Sequence, residues 1–89
     1  MAINLAINLT NDSRKFLKNL IPKHHKQVAQ KIVELGRNPY PSDSKHLSGH
    51  RGYKRVDSGE YRIIYTIKDS VIYISAIGNR NDDAVYRKM

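Results

Sequence analysis

Three runs rich in β-branched and aromatic residues follow one another between residues 53 and 80, and two short polar stretches separate them. The first stretch contains Ser58-Gly59 and the second Asp69-Ser70, all of them common turn residues. Extended runs that alternate with such turns are typical of antiparallel strands joined by hairpins. The segment therefore predicts a three-stranded meander. Its last two strands are apolar on both faces, which favours central strands with helices packed on one face of the sheet.

A strand and a helix are predicted before the meander. Apolar and polar side chains alternate over residues 2–10, which is typical of a half-buried strand with apolar positions at Ile3, Leu5, Ile7 and Leu9. Thr10 or Asn11 is suited to cap a helix that runs to about Leu20.

A second helix and a long loop connect this part to the meander. Pro22 is suited to the first turn of the helix, because an N–H group at that position would have no partner within the helix. Gly36 is suited to end the helix at its C-terminus. Residues 37–52 combine turn residues with cations and predict a surface loop, and the tail after residue 80 predicts one helical turn. We expect one α+β domain over residues 1–89, with an N-terminal strand, a two-helix hairpin and the meander in one sheet.

The charge balance is strongly basic. Sixteen lysine and arginine residues against eight acidic residues give a formal net charge of +8 in 89 residues. On a small domain this charge favours a polyanion or an acidic protein as the partner. The chain has no cysteine, which excludes disulfides and thiolate metal sites. The absence of cysteine also fits a reducing cytoplasm. No apolar run approaches the length of a membrane span, and no signal peptide is recognisable.

Metal and cofactor sites are not expected. The four histidines, His24, His25, His46 and His50, lack a carboxylate placed to complete a site, and we expect them to be solvated on the surface. The sequence also lacks a nucleophile elbow and a glycine-rich phosphate loop.

Basic residues on the predicted strands are the strongest functional signal. Lys54, Arg55, Arg62 and Arg80 lie in or just after these strands, and a rigid sheet can hold several cations close together. Cleavage of RNA by its own 2′-OH needs a proton acceptor, cations that stabilise the phosphorane and a proton for the leaving oxygen. Arginine binds phosphate bidentately, and a lysine among arginines loses proton affinity. We expect these four side chains to form one pocket.

The segment Gly-Glu-Tyr-Arg-Ile-Ile-Tyr at residues 59–65 resembles a pattern of the RelE/ParE superfamily of bacterial toxins from toxin–antitoxin pairs. Other short motifs resemble those of the family and follow in the same order along nearly the whole chain: Pro22, Asn38-Pro39, Lys45-His46-Leu47-Ser48-Gly49, Ile77-Gly78-Asn79-Arg80 and Val85-Tyr86-Arg87. The family's histidine is replaced by Asn79.

The resemblance implies a catalytic set of Lys54, Arg55, Arg62, Arg80 and Tyr86. Arg62 would hold the scissile phosphate, Arg80 would protonate or stabilise the leaving oxygen, and Tyr86 would stack on or orient the substrate base. The general base stays open between Lys54 and Arg55, because the family's two-residue spacing of basic side chains is not reproduced. Contacts with RNA or the ribosome are expected from Lys45, Arg51, Arg87 and Lys88.

Two functions follow from the two branches of the family. The RelE branch cuts messenger RNA in the ribosomal decoding site, and the ParE branch inhibits DNA gyrase. We favour a ribosome-dependent messenger RNA endoribonuclease that uses no metal or cofactor, contacts 16S ribosomal RNA and acts in the bacterial cytoplasm. Either branch implies a cognate antitoxin, acidic or amphipathic, that folds on binding.

Overall fold

The computed structural model describes residues 4–89 of the chain. Its elements are the strands β1 (Ala6–Leu9), β2 (Lys45–His46), β3 (Tyr53–Ser58), β4 (Tyr61–Lys68) and β5 (Val71–Asn79), the helices α1 (Asn11–Lys18) and α2 (Pro22–Arg37), and a C-terminal 3-10 helix (Asp83–Lys88). The strands form one sheet in the order β1-β5-β4-β3-β2. Among the strands that the structure describes, the β1–β5 pair is parallel and the other three pairs are antiparallel. The predicted α+β fold is confirmed, and the predicted meander is β3-β4-β5.

Thr10 starts the first helix, as its sequence position predicts. The Thr10 side chain accepts a hydrogen bond from the backbone N–H of Ser13 at 3.2 Å. The hydroxyl of Ser13 is buried and donates to the carbonyl of Ile74 in β5 at 3.3 Å. The cap therefore also ties α1 to the centre of the sheet.

The end of α2 and the extent of β1 differ from the predictions. Gly36 does not stop the helix, which continues to Arg37 with Asn38 as its C-cap. Gly36 instead lies where β1 passes closely, and its carbonyl accepts a hydrogen bond from the N–H of Leu5 at 2.8 Å. The strand predicted over residues 2–10 is shorter, and Ile3 lies outside the described residues.

Both hairpins of the meander have two-residue turns. Ser58 pairs with Tyr61, so the first turn is Gly59-Glu60, one residue later than the sequence suggested. In the second turn Asp69 and Ser70 both adopt positive φ, 51° and 64°, as a type I′ turn requires. The loop predicted over residues 37–52 also contains the short strand β2, which has no periodic sequence signal because it is only two residues long.

The sheet has two differently covered faces. The first, which we call the helix face, packs under α2 with Val28, Ile32 and Leu35 against strand residues such as Ile63 and Tyr65. The second, which we call the site face, has a smaller core of Leu47, Ile64, Ala76 and Val85. Val85 belongs to the 3-10 helix, which confirms the helical turn predicted for the tail and covers part of this face. Within residues 4–89 no helix has the length and apolar composition that a membrane span requires.

Candidate functional site

Cross-strand pairing gathers charged side chains on the site face. Asp57 pairs with Arg62 across the β3–β4 hairpin, and Arg55 pairs with Ile64. Lys45 of β2 pairs with Arg55 on its other side. Residues directly opposite each other project to the same face of a sheet. Lys45, Arg55, Asp57 and Arg62 therefore share the face that the two α-helices leave uncovered.

Arg62 is the centre of this group. Its Nε donates to Oδ1 of Asp57 at 2.8 Å and its Nη2 to Oδ2 at 3.3 Å, while Nη1 donates to the hydroxyl of Tyr86 at 2.7 Å. The bond to Asp57 raises the pKa of the Arg62 guanidinium, against the opposing effect of burial. A guanidinium has five N–H donors, and three of them are used here. One N–H on each terminal nitrogen is left for an anion.

Tyr86 reaches Arg62 because the 3-10 helix is docked on the sheet. Val85 is buried and packs closely over β5. A Cβ added at Gly78 would lie only 2.9 Å from the Cβ of Val85. Tyr86 packs against the small core of the site face and is itself half-buried. The packing of the 3-10 helix on the sheet thus positions the phenol of Tyr86.

A depression of about 180 Å³ lies beside Arg62. Lys45, Arg55 and Arg62 contribute cations to its wall, and Asp43 and Asp57 contribute carboxylates. Each carboxylate is in an ion pair, Asp57 with Arg62 and Asp43 with Lys31 at 2.8 Å. The cations of Lys45 and Arg55 therefore dominate the opening, and the depression suits a phosphate more than a cation.

Lys54 does not join this group, and the prediction of one pocket for all four cations is wrong in this respect. Lys54 pairs with Tyr65, whose side chain belongs to the core of the helix face. Its Nζ lies 5.7 Å from the ring centroid of Tyr40. The physical reason is the two-residue period of a strand, which sends adjacent Lys54 and Arg55 to opposite faces.

Arg80 follows β5 at the end of the sheet where β4 begins. Its backbone N–H donates to the carbonyl of Glu60 at 2.9 Å, and its side chain is exposed. Gly78, two residues earlier, pairs with Arg62. Arg80 therefore lies beside the start of the strand that carries Arg62, but it is not among the described residues that line the depression, so the prediction that it shares one pocket with Arg55 and Arg62 is also wrong.

The other predicted RNA contacts have three different environments. Lys45 lines the depression, while Arg51 and Arg87 are exposed elsewhere. Lys88 is half-buried and makes contacts within the protein: its Nζ donates to the carbonyl of Ile77 at 3.0 Å and lies 4.5 Å from the ring centroid of Phe16. Lys88 thus anchors the 3-10 helix, which the sequence did not indicate.

His24 corrects the expectation of solvated histidines. It is half-buried, and its Nδ1 lies 2.7 Å from the hydroxyl of Tyr61. His25, His46 and His50 are exposed. No group of three or more histidine or acidic side chains that could hold a metal ion occurs within residues 4–89.

A family model connects this geometry to known proteins. The model of the ParE toxin of the type II toxin–antitoxin system parDE matches residues 7–84. The chain belongs to this toxin family. No curated protein matches it by sequence.

Solved structures of RelE toxins have the same fold as this ParE-family chain. The chain is 25% identical to the toxin–antitoxin complex RelBE2 from Mycobacterium tuberculosis, with a TM-score of 0.75 over 90% of this chain and 95% of that one. It is also 25% identical to the archaeal RelE–RelB complex from Pyrococcus horikoshii, with a TM-score of 0.76 over 88% of this chain and 97% of that one. A mutant of the Escherichia coli toxin RelE in the free state, 19% identical, has a TM-score of 0.80 over 97% of this chain and 94% of that one. The protein is thus a RelE/ParE-superfamily toxin with a RelE-like fold.

Asp57 is the member of this candidate site that was not predicted from the sequence. The signal was present in the hairpin, because a two-residue turn at Gly59-Glu60 places Asp57 opposite Arg62. A turn one residue earlier would have paired Arg62 with Arg55 instead. The position of the turn therefore decides whether Arg62 faces a carboxylate or a second cation.

Proposed function

We propose that this toxin is a ribosome-dependent endoribonuclease that cuts messenger RNA in the ribosomal A site. The observation that carries the proposal is the position of Arg62, which is bonded to the carboxylate of Asp57 on one side and to the phenol of Tyr86 on the other. A proton acceptor, a cation and a proton donor are the three groups that cleavage through the 2′-OH needs.

Asp57 takes the role of general base in this proposal. Lys54 lies on the other face of the sheet, and the guanidinium of Arg55 stays protonated in proteins. The carboxylate of Asp57 accepts the proton of the 2′-OH as the 2′-oxygen attacks the phosphorus. Its side chain is 39% exposed, so it is open to substrate while it holds Arg62.

Tyr86 supplies the proton for the leaving group. As the bond from phosphorus to the 5′-oxygen breaks, the Tyr86 hydroxyl gives its proton to that oxygen, leaving a 2′,3′-cyclic phosphate and a 5′-OH. The hydrogen bond from Nη1 of Arg62 stabilises the phenolate that remains. Proton exchange with solvent then restores Asp57 and Tyr86.

Cations around the depression stabilise the phosphorane. The two unused N–H groups of Arg62 face the reacting phosphate, and Arg55 and Lys45 bind the adjacent phosphates along the RNA backbone. Arg80, exposed at the adjacent end of the sheet, stabilises charge on the leaving oxygen. Removal of one such preorganised donor typically lowers the rate by a factor of about 10²–10³.

An antitoxin is the second partner in the proposal. The solved relatives from Mycobacterium tuberculosis and Pyrococcus horikoshii are toxin–antitoxin complexes. With a net charge of +8, the toxin suits an acidic antitoxin segment that covers the site face and neutralises its cations.

Inhibition of DNA gyrase is the alternative, and the match to a ParE family model favours it. In that case the cationic face would serve protein contact, and the Asp57–Arg62 pair would be structural. Supercoiling by purified gyrase, measured with and without the toxin, tests this alternative directly.

A cell-free translation reaction followed by primer extension tests the nuclease. We expect cuts inside translated codons with the wild-type toxin and none without ribosomes. Arg62→Ala should abolish the cuts, and Arg14→Ala, which removes an exposed arginine of α1, should not. Cutting by Arg62→Ala at the wild-type rate would overturn the nuclease assignment.

A further inference from the structure

A second cavity opens at the start of β3, and the proposed chemistry does not use it. Its volume is about 350 Å³. Two tyrosines, two histidines and two basic side chains contribute to its wall: Tyr40, Tyr53, His46, His50, Arg51 and Lys54. Within residues 4–89 no carboxylate lines this cavity.

Tyr40 is an aromatic ring that the fold displays rather than buries. Its side chain is 64% exposed. Its backbone is nevertheless held in place, because its N–H donates to Oδ1 of Asn38 at 3.1 Å and the adjacent carbonyl of Pro39 accepts a hydrogen bond from Tyr65 at 2.8 Å. An exposed ring on a fixed backbone loses little entropy when a flat ligand stacks on it.

Lys54 is positioned beside this ring. Its Nζ, 5.7 Å from the Tyr40 ring centroid, is within the range of a cation–π contact. Pairing of Lys54 with Tyr65 fixes its direction toward the helix face. The ring and the cation thus offer a stacking surface and an anion-binding group at neighbouring points.

The loop between β2 and β3 completes the cavity with ordered backbone. The N–H of Leu47 donates to the carbonyl of Tyr53 at 2.9 Å, and the N–H of Tyr53 donates to the carbonyl of His50 at 3.1 Å. Thr66 of β4 holds the same loop by a 2.8 Å bond to the carbonyl of Gly52. Arg51, exposed on this loop, adds the second cation.

We propose that this cavity binds one nucleotide of single-stranded RNA, with the base stacked on Tyr40 and its phosphate held by Lys54 and Arg51. Aromatic rings next to cations are the usual platform for single-stranded nucleic acid. Because Lys54 and Arg62 lie on opposite faces, this nucleotide is not the one that is cleaved. The proposal rests on the proposed function for the choice of RNA, and it adds a contact that positions the strand around the edge of the sheet.

Binding of a short RNA without ribosomes tests the site. The probe is a fluorescein-labelled hexaadenylate, and the readout is fluorescence anisotropy with the purified full-length toxin. Stacking on one aromatic ring is worth about 1–3 kcal/mol per base, so Tyr40→Ala should weaken binding by about 5- to 150-fold. Tyr73→Ala, which removes an exposed tyrosine of β5, is the matched control and should change binding less than about twofold. Equal affinities for the two variants would overturn the proposal.

An abasic probe separates stacking from charge. A hexamer that keeps the sugar–phosphate backbone but lacks the bases should bind wild type and Tyr40→Ala equally well. A Tyr40→Ala penalty that persists with this probe would overturn the stacking role. Competition by hexaglutamate as strong as by hexaadenylate, and equally dependent on Tyr40, would identify an acidic peptide as the occupant and would also overturn the proposal.

The outcome is independent of the nuclease test. The cavity is assessed by RNA affinity alone, whereas the proposed function is assessed by cuts in translated messenger RNA and their loss in Arg62→Ala. If the toxin proves not to cut messenger RNA, the Tyr40-dependent affinity for the RNA hexamer would still be measurable. Thermal unfolding of Tyr40→Ala and Tyr73→Ala should confirm that both remain folded, as expected for exposed side chains.

Discussion

Asp57 and Arg62 face each other across the β3–β4 hairpin and form a bidentate ion pair, with Nε to Oδ1 at 2.8 Å and Nη2 to Oδ2 at 3.3 Å. The pair aims the guanidinium so that Nη1 meets the hydroxyl of Tyr86. It thereby links the meander to the C-terminal 3-10 helix, and a change in either residue alters both the site and the docking of the tail.

Asp57→Asn removes the proposed general base but keeps an oxygen that can accept from Arg62. General bases contribute about 10²–10⁴ in rate, so we expect a loss of that order in the rate of messenger RNA cutting. Primer extension over a time course of cell-free translation measures it. Asp69→Asn, in the β4–β5 turn where asparagine also tolerates positive φ, is the matched control and should cut normally. Equal rates for the two variants would show that Asp57 is only structural.

Gly78→Ala should dislodge the 3-10 helix, because the new Cβ would lie 2.9 Å from the Cβ of Val85. Overpacking of this kind costs about 1–3 kcal/mol, which urea unfolding measures. The same variant should lose cutting activity, since Tyr86 moves away from Arg62. Val85→Ala removes the Cγ2 atom that would lie 3.1 Å from the new Cβ, so Gly78→Ala should cost less stability in the Val85→Ala background than in wild type. Equal costs in the two backgrounds would contradict this account of the packing.

Lys88→Ala tests whether Lys88 anchors the tail rather than binding RNA. The change removes the 3.0 Å bond to the carbonyl of Ile77, the contact with Phe16 and an ion pair with Asp12 at 3.5 Å. We expect a loss of about 1 kcal/mol in unfolding free energy and faster proteolysis of the tail. Arg87→Ala removes an exposed neighbour and should change neither. A loss of RNA affinity at unchanged stability would instead assign Lys88 to RNA binding.

Tyr65 should make the fold sensitive to alkaline pH. Burial raises the pKa of its phenol. A raised pKa in the folded state means that the stabilising contribution is complete below the ordinary tyrosine pKa of about 10 and is lost as the pH rises through the folded value. Urea unfolding at pH 8 and pH 11 should therefore show a smaller decline for Tyr65→Phe than for wild type. At pH 8 the variant should be less stable by about 1 kcal/mol, because its bond to Pro39 is gone. Parallel declines for the two proteins would contradict the role of Tyr65.

The hairpin between β3 and β4 shows where prediction from sequence reached its limit. The runs of strand residues located both strands, but the turn was placed at Ser58-Gly59 rather than Gly59-Glu60. A shift of one residue changes every cross-strand partner. Lys54 and Arg55 are adjacent in the sequence and were expected in one pocket. The two-residue period of the strand instead places their side chains on opposite faces of the sheet.

The sequence by itself determined the order of the elements other than β2, the start of both helices, the coverage of one sheet face and the family, because hydrophobic period, caps and turn residues act locally. Only the tertiary structure decided that Asp57 pairs with Arg62, that Tyr86 joins them, that His24 is half-buried and that Lys88 secures the tail. These contacts depend on strand register and on how the last helix packs over Gly78, and neither is encoded in any single local pattern.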